Sequence, residues 1–225
     1  MYELLSGGRR MIRPVLFPAL MALAGCTGSP FVQTVSHDTL QVSQQFVAQR
    51  LDQSWARPHG AIINIARSLG TEAEQIIGLV NETTISGDNF LWLRARVPDG
   101  SDPGKFNLEE FLSRTEGVPV PFSRVSEANL HQATDSLGTY FYLEWRSGSS
   151  TNCVLAFRRI MDAARILPSG TNVLEAMLRN CVQGPIADAL APIQDREISF
   201  SATTGTQYDA GRGQMLSPLA APLLE

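Results

Sequence analysis

The sequence predicts an α+β fold, one domain with a mixed or mostly antiparallel sheet and helices packed on one face. Four observations carry this expectation. Residues 61–66 (Ala-Ile-Ile-Asn-Ile-Ala) are rich in β-branched side chains. Residues 90–97 alternate, with Phe90, Trp92, Arg94 and Arg96 on one face and Leu91, Leu93, Ala95 and Val97 on the other. Between them Thr71-Glu-Ala-Glu74 has the form of a capping box, opening a helix whose Ile76, Ile77 and Val80 face inward. Residues 139–146 and 153–160 then read as a hairpin around the turn Ser147-Gly-Ser-Ser-Thr-Asn152.

The other elements follow from local signals. Asp38, with Gln41 three residues on, opens a helix over 39–56 that ends before Pro58. Pro98-Asp-Gly-Ser-Asp-Pro-Gly104 is a turn-rich break. Two short helices follow, over 108–114 with Asn107 as cap and over 127–137 with Ser126 as cap and Gly138 as stop. His131 falls on the second and reads as a surface imidazole. Residues 172–182 are ambiguous. An Asn172/Glu175 capping pattern and the stripe Leu174, Met177, Leu178 and Cys181 suit a helix, while alternation suits a strand beside that of Cys153. A short helix is expected over 185–192, and residues 200–225 read as a disordered tail without periodicity.

Composition narrows the function classes. The 225 residues are 44% hydrophobic, enough for a real core, and the net charge of −4 gives no electrostatic support for nucleic-acid binding. The chemistry of location is more specific. Arg9, Arg10 and Arg13 precede an apolar run over 14–24 that is shorter than the ~20 residues a membrane helix needs, which describes an export signal. It ends in Leu23-Ala24-Gly25-Cys26, which resembles the bacterial lipobox, so Cys26 is the expected site of lipidation and cleavage. Residue 27 is Thr rather than Asp, the familiar inner-membrane retention signal, and an outer-membrane anchor is implied by analogy. The chain then divides into a signal peptide (1–25), a lipidated tether (26–37), a periplasmic domain (38–199) and the tail.

Lipidation of Cys26 leaves Cys153 and Cys181 as an even pair in an oxidising compartment, and a structural disulfide is the expectation. A metal pair or a catalytic thiol are the rivals. His37, His59 and His131 are scattered singly and offer no ligand spacing, so no metal or cofactor is expected. No nucleophile elbow, P-loop or zinc-protease motif occurs. Glu72/Glu74 and Glu109/Glu110 sit where helix first turns are expected, and capping accounts for them. Glu144 and Asp135 are the pair that a glycan hydrolase would nominate. Tyr140, Tyr142 and Trp145, with Trp92, are the aromatics that a glycan- or partner-contacting platform would use.

Five stretches together resemble the cellulose biosynthesis protein BcsN family, small lipoproteins encoded with cellulose synthase in alphaproteobacteria. They are Ala61-Ile-Ile-Asn-Ile-Ala-Arg67, Glu74-Gln75, Gly87-Asp-Asn-Phe-Leu-Trp-Leu-Arg94, Asn152-Cys-Val-Leu-Ala-Phe-Arg-Arg-Ile160 and Leu178-Arg-Asn-Cys181. None is a catalytic motif, and the stretch 98–138 departs from the family's pattern. The resemblance tips 172–182 towards a strand. It implies a non-catalytic, outer-membrane-anchored accessory of cellulose or exopolysaccharide export, whose partners are the membrane and components of a cellulose synthase or export complex. A lipoprotein assisting a pilus or secretion apparatus is the alternative, and a periplasmic glycan hydrolase the third reading.

Overall fold

The computed structural model describes residues 37–98, 106–113 and 117–198. The lipobox with Cys26, residues 26–36 of the expected tether, and the tail at 200–225 lie outside them.

Eight antiparallel strands form one sheet in the order β1-β2-β3-β4-β8-β7-β6-β5. The strands are β1 (Val47–Gln49), β2 (Ala61–Ser68), β3 (Ala73–Leu79), β4 (Asn89–Arg96), β5 (His131–Asp135), β6 (Gly138–Ser147), β7 (Thr151–Met161) and β8 (Val173–Gln183). The first four run as a meander from one edge to the centre. The last four run as a second meander from the other edge, and β4 and β8 close the sheet between them. The helices are short: α1 (His37–Ser43), α2 (Leu108–Ser113) and α3 (Ile186–Leu190).

This architecture corrects the expected fold class. The domain is sheet-dominated, not an α+β layer with helices on one face, and its short covers lie on both faces. One apolar cluster gathers Leu91, Leu93, Ala95, Leu174, Ala176 and Leu178 under Ala189 and Leu190 of α3. The other gathers Trp92, Met177, Leu155 and Phe157 under Leu108 and Phe111 of α2. Strand alternation separates the two sets, so the central strands are buried on both sides.

Three expected helices are not formed. Residues 39–56 hold only α1 before the chain extends into β1 and a 3-10 turn at Leu51–Gln53. The supposed capping box at 71–74 belongs to the β2–β3 turn. There Leu69 N–H donates to Glu72 O at 2.8 Å and Gly70 takes a positive φ of 82°, so Thr71 caps nothing. Residues 73–79 then pair on both sides, with β2 and β4, and this tertiary pairing overrides their local helix signal. At 127–137 a 3-10 turn over Glu127–Asn129 leads into β5, so His131 opens an edge strand instead of riding a helix. The strands at 61–66 and 90–97, the 139–160 hairpin, the helices near 108 and 185, and the extended form of 172–182 stand as expected.

Polar side chains of the sheet hold the covers in place. On the α3 face Gln75 Oε1 accepts Trp55 N–H at 2.8 Å, and Asn180 Nδ2 donates to Ala189 O at 2.9 Å. Arg158, fully buried, donates to Ile193 O at 2.9 Å and pairs with Asp135. On the α2 face the buried Arg179 reaches four acceptors: Val120 O (3.0 Å), Gly87 O (2.9 Å), Asn89 Oδ1 (2.7 Å) and Ser86 O (2.7 Å). Burial lowers the pKa of this guanidinium, and Asp88 nearby opposes the shift.

Cys153 and Cys181 stand directly opposite on β7 and β8 and are joined by a disulfide, both residues buried in the α2-face cluster. The metal and thiol rivals are thereby displaced at this pair. Replacing both cysteines with alanine should lower stability by about 2–4 kcal/mol in denaturant unfolding, and non-reducing peptide mapping should recover 153 linked to 181.

Candidate functional site

The α2 face is built in registered cross-strand rows. Arg67 of β2, Glu74 of β3, Arg94 of β4, Glu175 of β8 and Arg159 of β7 face one another in sequence across five adjacent strands. Signs alternate along the whole row. Arg67 Nε donates to Glu74 Oε2 at 2.7 Å, and Arg94 Nε lies 3.8 Å from Glu74 Oε1. Glu175 Oε1 accepts from Arg159 NH2 at 2.9 Å and from Arg96 NH2 at 2.9 Å. Arg94 is also paired with Glu72 at the sheet's end. The centre of the row is shielded from water, Glu175 and Glu74 each at 1% side-chain exposure, and Arg67 at its end is 11% exposed.

The next row towards the middle of the sheet is apolar: Ile65, Ile76, Trp92, Met177, Phe157 and Phe141. Its two halves are treated differently. Over Phe157 and Phe141 lie the rings of α2 and its approach. Phe106 stacks on Phe141 at 4.3 Å, and Phe111 meets Phe157 edge-on at 5.4 Å. Over Ile65 and Ile76 the surface opens into a groove of about 830 Å³. A third row, Ile63, Gly78 and Phe90, completes its floor. The walls are Gln41, Val42 and Phe46 on one side and residues 117–119 on the other, and the Arg67–Glu74 pair closes the charged end.

Local sequence explains the shape of this floor. Gly78 lets Ile63 lie flat across β3, because a Cβ there would come within 2.6 Å of Ile63 Cγ2. The pairing of β2 and β3 is irregular between Ala61 and Ile63, and Ile62 stands 62% exposed at the rim, with Ile63 at 48%. Arg67 donates to Gln41 O at 3.1 Å and its guanidinium lies 4.3 Å from the Phe46 ring centroid, which holds α1 and the following chain as a wall.

The residues nominated from sequence fall elsewhere. Tyr140 and Tyr142 lie on the α3 face. Tyr140 is buried, with its hydroxyl accepting from Gln194 Nε2 at 3.4 Å, and Tyr142 sits against His131 at 5.3 Å. Burial, with Glu144 and Tyr140 beside it, pushes the Tyr142 phenol above its ordinary pKa. Trp145 points to the opposite face and packs on the α2 cluster, as does Trp92, so the four aromatics form no common platform. Glu144 pairs with Arg146 at 3.1 Å, while Asp135 holds Arg158. The β5–β6 register sets Asp135 against Gly138, six residues along β6 from Glu144, roughly 20 Å away at ~3.3 Å per residue. That separation is beyond the roughly 5–10 Å of a glycosidase pair. Glu74 belongs to the charge row, Glu72 pairs with Arg94 from the β2–β3 turn, and neither caps a helix. Among the described residues no group of three or more potential metal ligands occurs, and no helix is long and apolar enough to cross a membrane.

The groove and the charge row escape a reading by elements. Their signal is present only as odd company: Arg94 and Arg96 share an alternating face with Phe90 and Trp92, which makes no sense for a solvated face. Comparison with protein-family models, with curated proteins and with solved structures gives no match. The described residues define a sheet-based module with an apolar groove over β2 and β3.

Two outcomes test this geometry. Glu175→Gln leaves the guanidinium groups of Arg96 and Arg159 facing a neutral amide in a buried row, and should cost about 3–5 kcal/mol in denaturant unfolding. Asp135 supplies a pH signature. Burial tends to raise its pKa, but hydrogen bonds and charge from Arg158, with the Leu137 and Asp195 N–H groups, outweigh it and hold the carboxyl below 3.8. Its stabilisation is therefore present above that value and lost as pH falls below it. Asp135→Asn should flatten the acid limb of the stability profile below about pH 4 and leave the slope at neutrality unchanged.

Proposed function

We propose that this chain is an outer-membrane-anchored periplasmic lipoprotein, a non-catalytic accessory of cellulose or exopolysaccharide biosynthesis and export. The observation that carries the location is the buried Cys153–Cys181 disulfide behind an export signal ending at Cys26. Such bonds form and persist in oxidising compartments and are rare in the cytosol. The engagement of the nominated carboxylates supports a non-catalytic role. Asp135 is committed to Arg158 and Glu144 to Arg146, and the acidic pair Glu72 and Glu74 is held by Arg94 and Arg67 of the sheet. The link to cellulose export rests on the resemblance of the strand segments at 61–67, 87–94, 152–160 and 178–181.

A deletion strain scored for cellulose-dependent pellicle and dye binding tests this role. Restoration by the native chain and failure by Cys26→Ser, with the variant moving from the membrane to the soluble periplasmic fraction, is the expected result. Undiminished cellulose in the deletion would transfer the proposal to assembly of a pilus or secretion apparatus. A Cys26→Ser chain that stays with the membrane would remove the lipid anchor.

A further inference from the structure

The groove has a floor with the chemistry of a protein core and the exposure of a surface. Ile76, Phe90, Trp92 and Met177 belong to, or pack on, the same apolar cluster that α2 covers on the other half of the sheet. Among the described residues none of α2 lines the groove, whose floor continues from that cluster to Ile63 and Ile65. We propose that this groove binds one acyl chain of a membrane phospholipid.

Size and shape fit such a ligand. A volume of about 830 Å³ lies within the roughly 300–1,000 Å³ of ligand pockets. The run from Ile63 to Arg67 along β2 extends about 13 Å, and three strands give about 10 Å of width. Along one rim the groove is apolar and open, where Ile62 and Val118 are exposed; its polar lining is Arg67 and Glu74 at one end, the stop for a headgroup, and Asp88 and Asn89 beside Phe90.

The floor also discriminates against other ligands. A glucan needs exposed ring faces for stacking and a rank of hydrogen-bonding side chains. Here the one tryptophan is only 7% exposed and the middle of the floor is isoleucine, phenylalanine and methionine. A peptide in extended form needs free backbone partners at a sheet edge, but the floor is the face of β2, β3 and β4, whose backbone is already paired. A flexible hydrocarbon chain asks for neither.

The bilayer as source rests on the anchored reading proposed above. From Cys26 to His37 the chain reaches at most ~35–40 Å at ~3.3–3.6 Å per residue, and it enters the described structure at α1, which carries the groove wall residues Gln41 and Val42. The groove therefore operates within a short distance of the membrane surface. Lipid binding itself is measurable without the anchor, so failure of one reading is separable from failure of the other.

The experiment uses the whole mature chain, residues 26–225, with Cys26→Ser to keep it soluble. Fluorescence titration with cis-parinaric acid should saturate at one per chain. Palmitate should displace the probe far better than octanoate, with affinity rising about fourfold per added methylene until the groove is filled. Incubation with phosphatidylethanolamine–phosphatidylglycerol vesicles, followed by native mass spectrometry, should recover one phospholipid per chain. Ile63→Lys, which places a charge on the floor, and Ile65→Trp, which fills it, should each weaken binding at least tenfold. Val47→Lys, exposed on β1 outside the groove, should bind as the parent does. No saturable binding, or equal loss in all three variants, would overturn the site. Palmitate binding without phospholipid uptake would overturn the membrane source.

Discussion

Charge pairing across the sheet is the constraint on which the rest of the structure depends. Strands β4 and β8 are buried on both faces, yet they carry Arg94, Arg96, Glu175 and Arg179. A buried charge is tolerable only when paired, and each of these is met by partners on neighbouring strands or loops. The arrangement also supplies information that hydrophobic alternation cannot. A slip of one residue between β4 and β8 would exchange the two faces, and alternation forbids it. A slip of two residues would keep every apolar residue on its proper face. It would, however, set Arg94 against Val173 or Met177; in the first case Glu175 would face Trp92, and in the second it would face Arg96 while Arg94 lost its carboxylate neighbour on β8. The row from Arg67 to Arg159 thus fixes the register of five strands at once, including the junction of two meanders distant in sequence.

Given that register, the placement of covers follows. Each layer over the sheet is held by a polar side chain projecting from a strand: Gln75 under residues 53–55, Asn180 under α3, Arg158 under the turn after it, Arg179 under residues 86–89 and 120. These anchors substitute for long helices. A five- or six-residue helix has little intrinsic stability, because nucleation is costly and few bonds repay it. Here α2 and α3 persist because Phe111 and Leu190 are buried and because the sheet binds the backbone around them. The same logic distributes the described covers of the α2 face. Arg179 draws its loops over β8, and over β2 and β3 the anchor among the described residues is Arg67, which holds α1 to one side.

Much of the sheet was legible in the sequence. The strands at 61–66 and 90–97 and the 139–160 hairpin declare themselves by β-branched content and alternation. The sheet-edge and turn regions did not. Residues 73–79 contain the pattern Thr-x-x-Glu ahead of an apolar pair, which imitates a helix start. Their strand form comes from partners on both sides, information that no local window holds. Gly78 was the available warning, since glycine inside a helix costs about 1 kcal/mol relative to alanine and inside a strand marks a close approach. Residues 39–56 misled differently: Phe46, Val47, Leu51 and Trp55 lie near helical spacing, but Trp55 enters the core while Val47 faces solvent on an edge strand. The disulfide was legible because the expected lipidation of Cys26 leaves Cys153 and Cys181 as an even pair. The charge row was not, because its five members lie on five strands and meet only through long-range register.

The exposed isoleucines of β2 then require an account of their own. An edge region with Ile62 and Ile63 in solvent is a liability, since open strand edges and apolar surface invite association. The chain limits that hazard by geometry: β1 pairs with residues 64–66, and the irregular pairing at Ile62 interrupts the flat edge beside it. It does not limit it by chemistry, although replacing either isoleucine with a polar residue would break no hydrogen bond and no ion pair described for this face. Ile62 and Ile63 belong to neither apolar cluster of the core, whereas Ile76, Phe90, Trp92 and Met177 beside them belong to one or pack on it. An apolar rim that carries the core out into solvent, and that neither cluster includes, is what a surface kept for a hydrophobic ligand looks like.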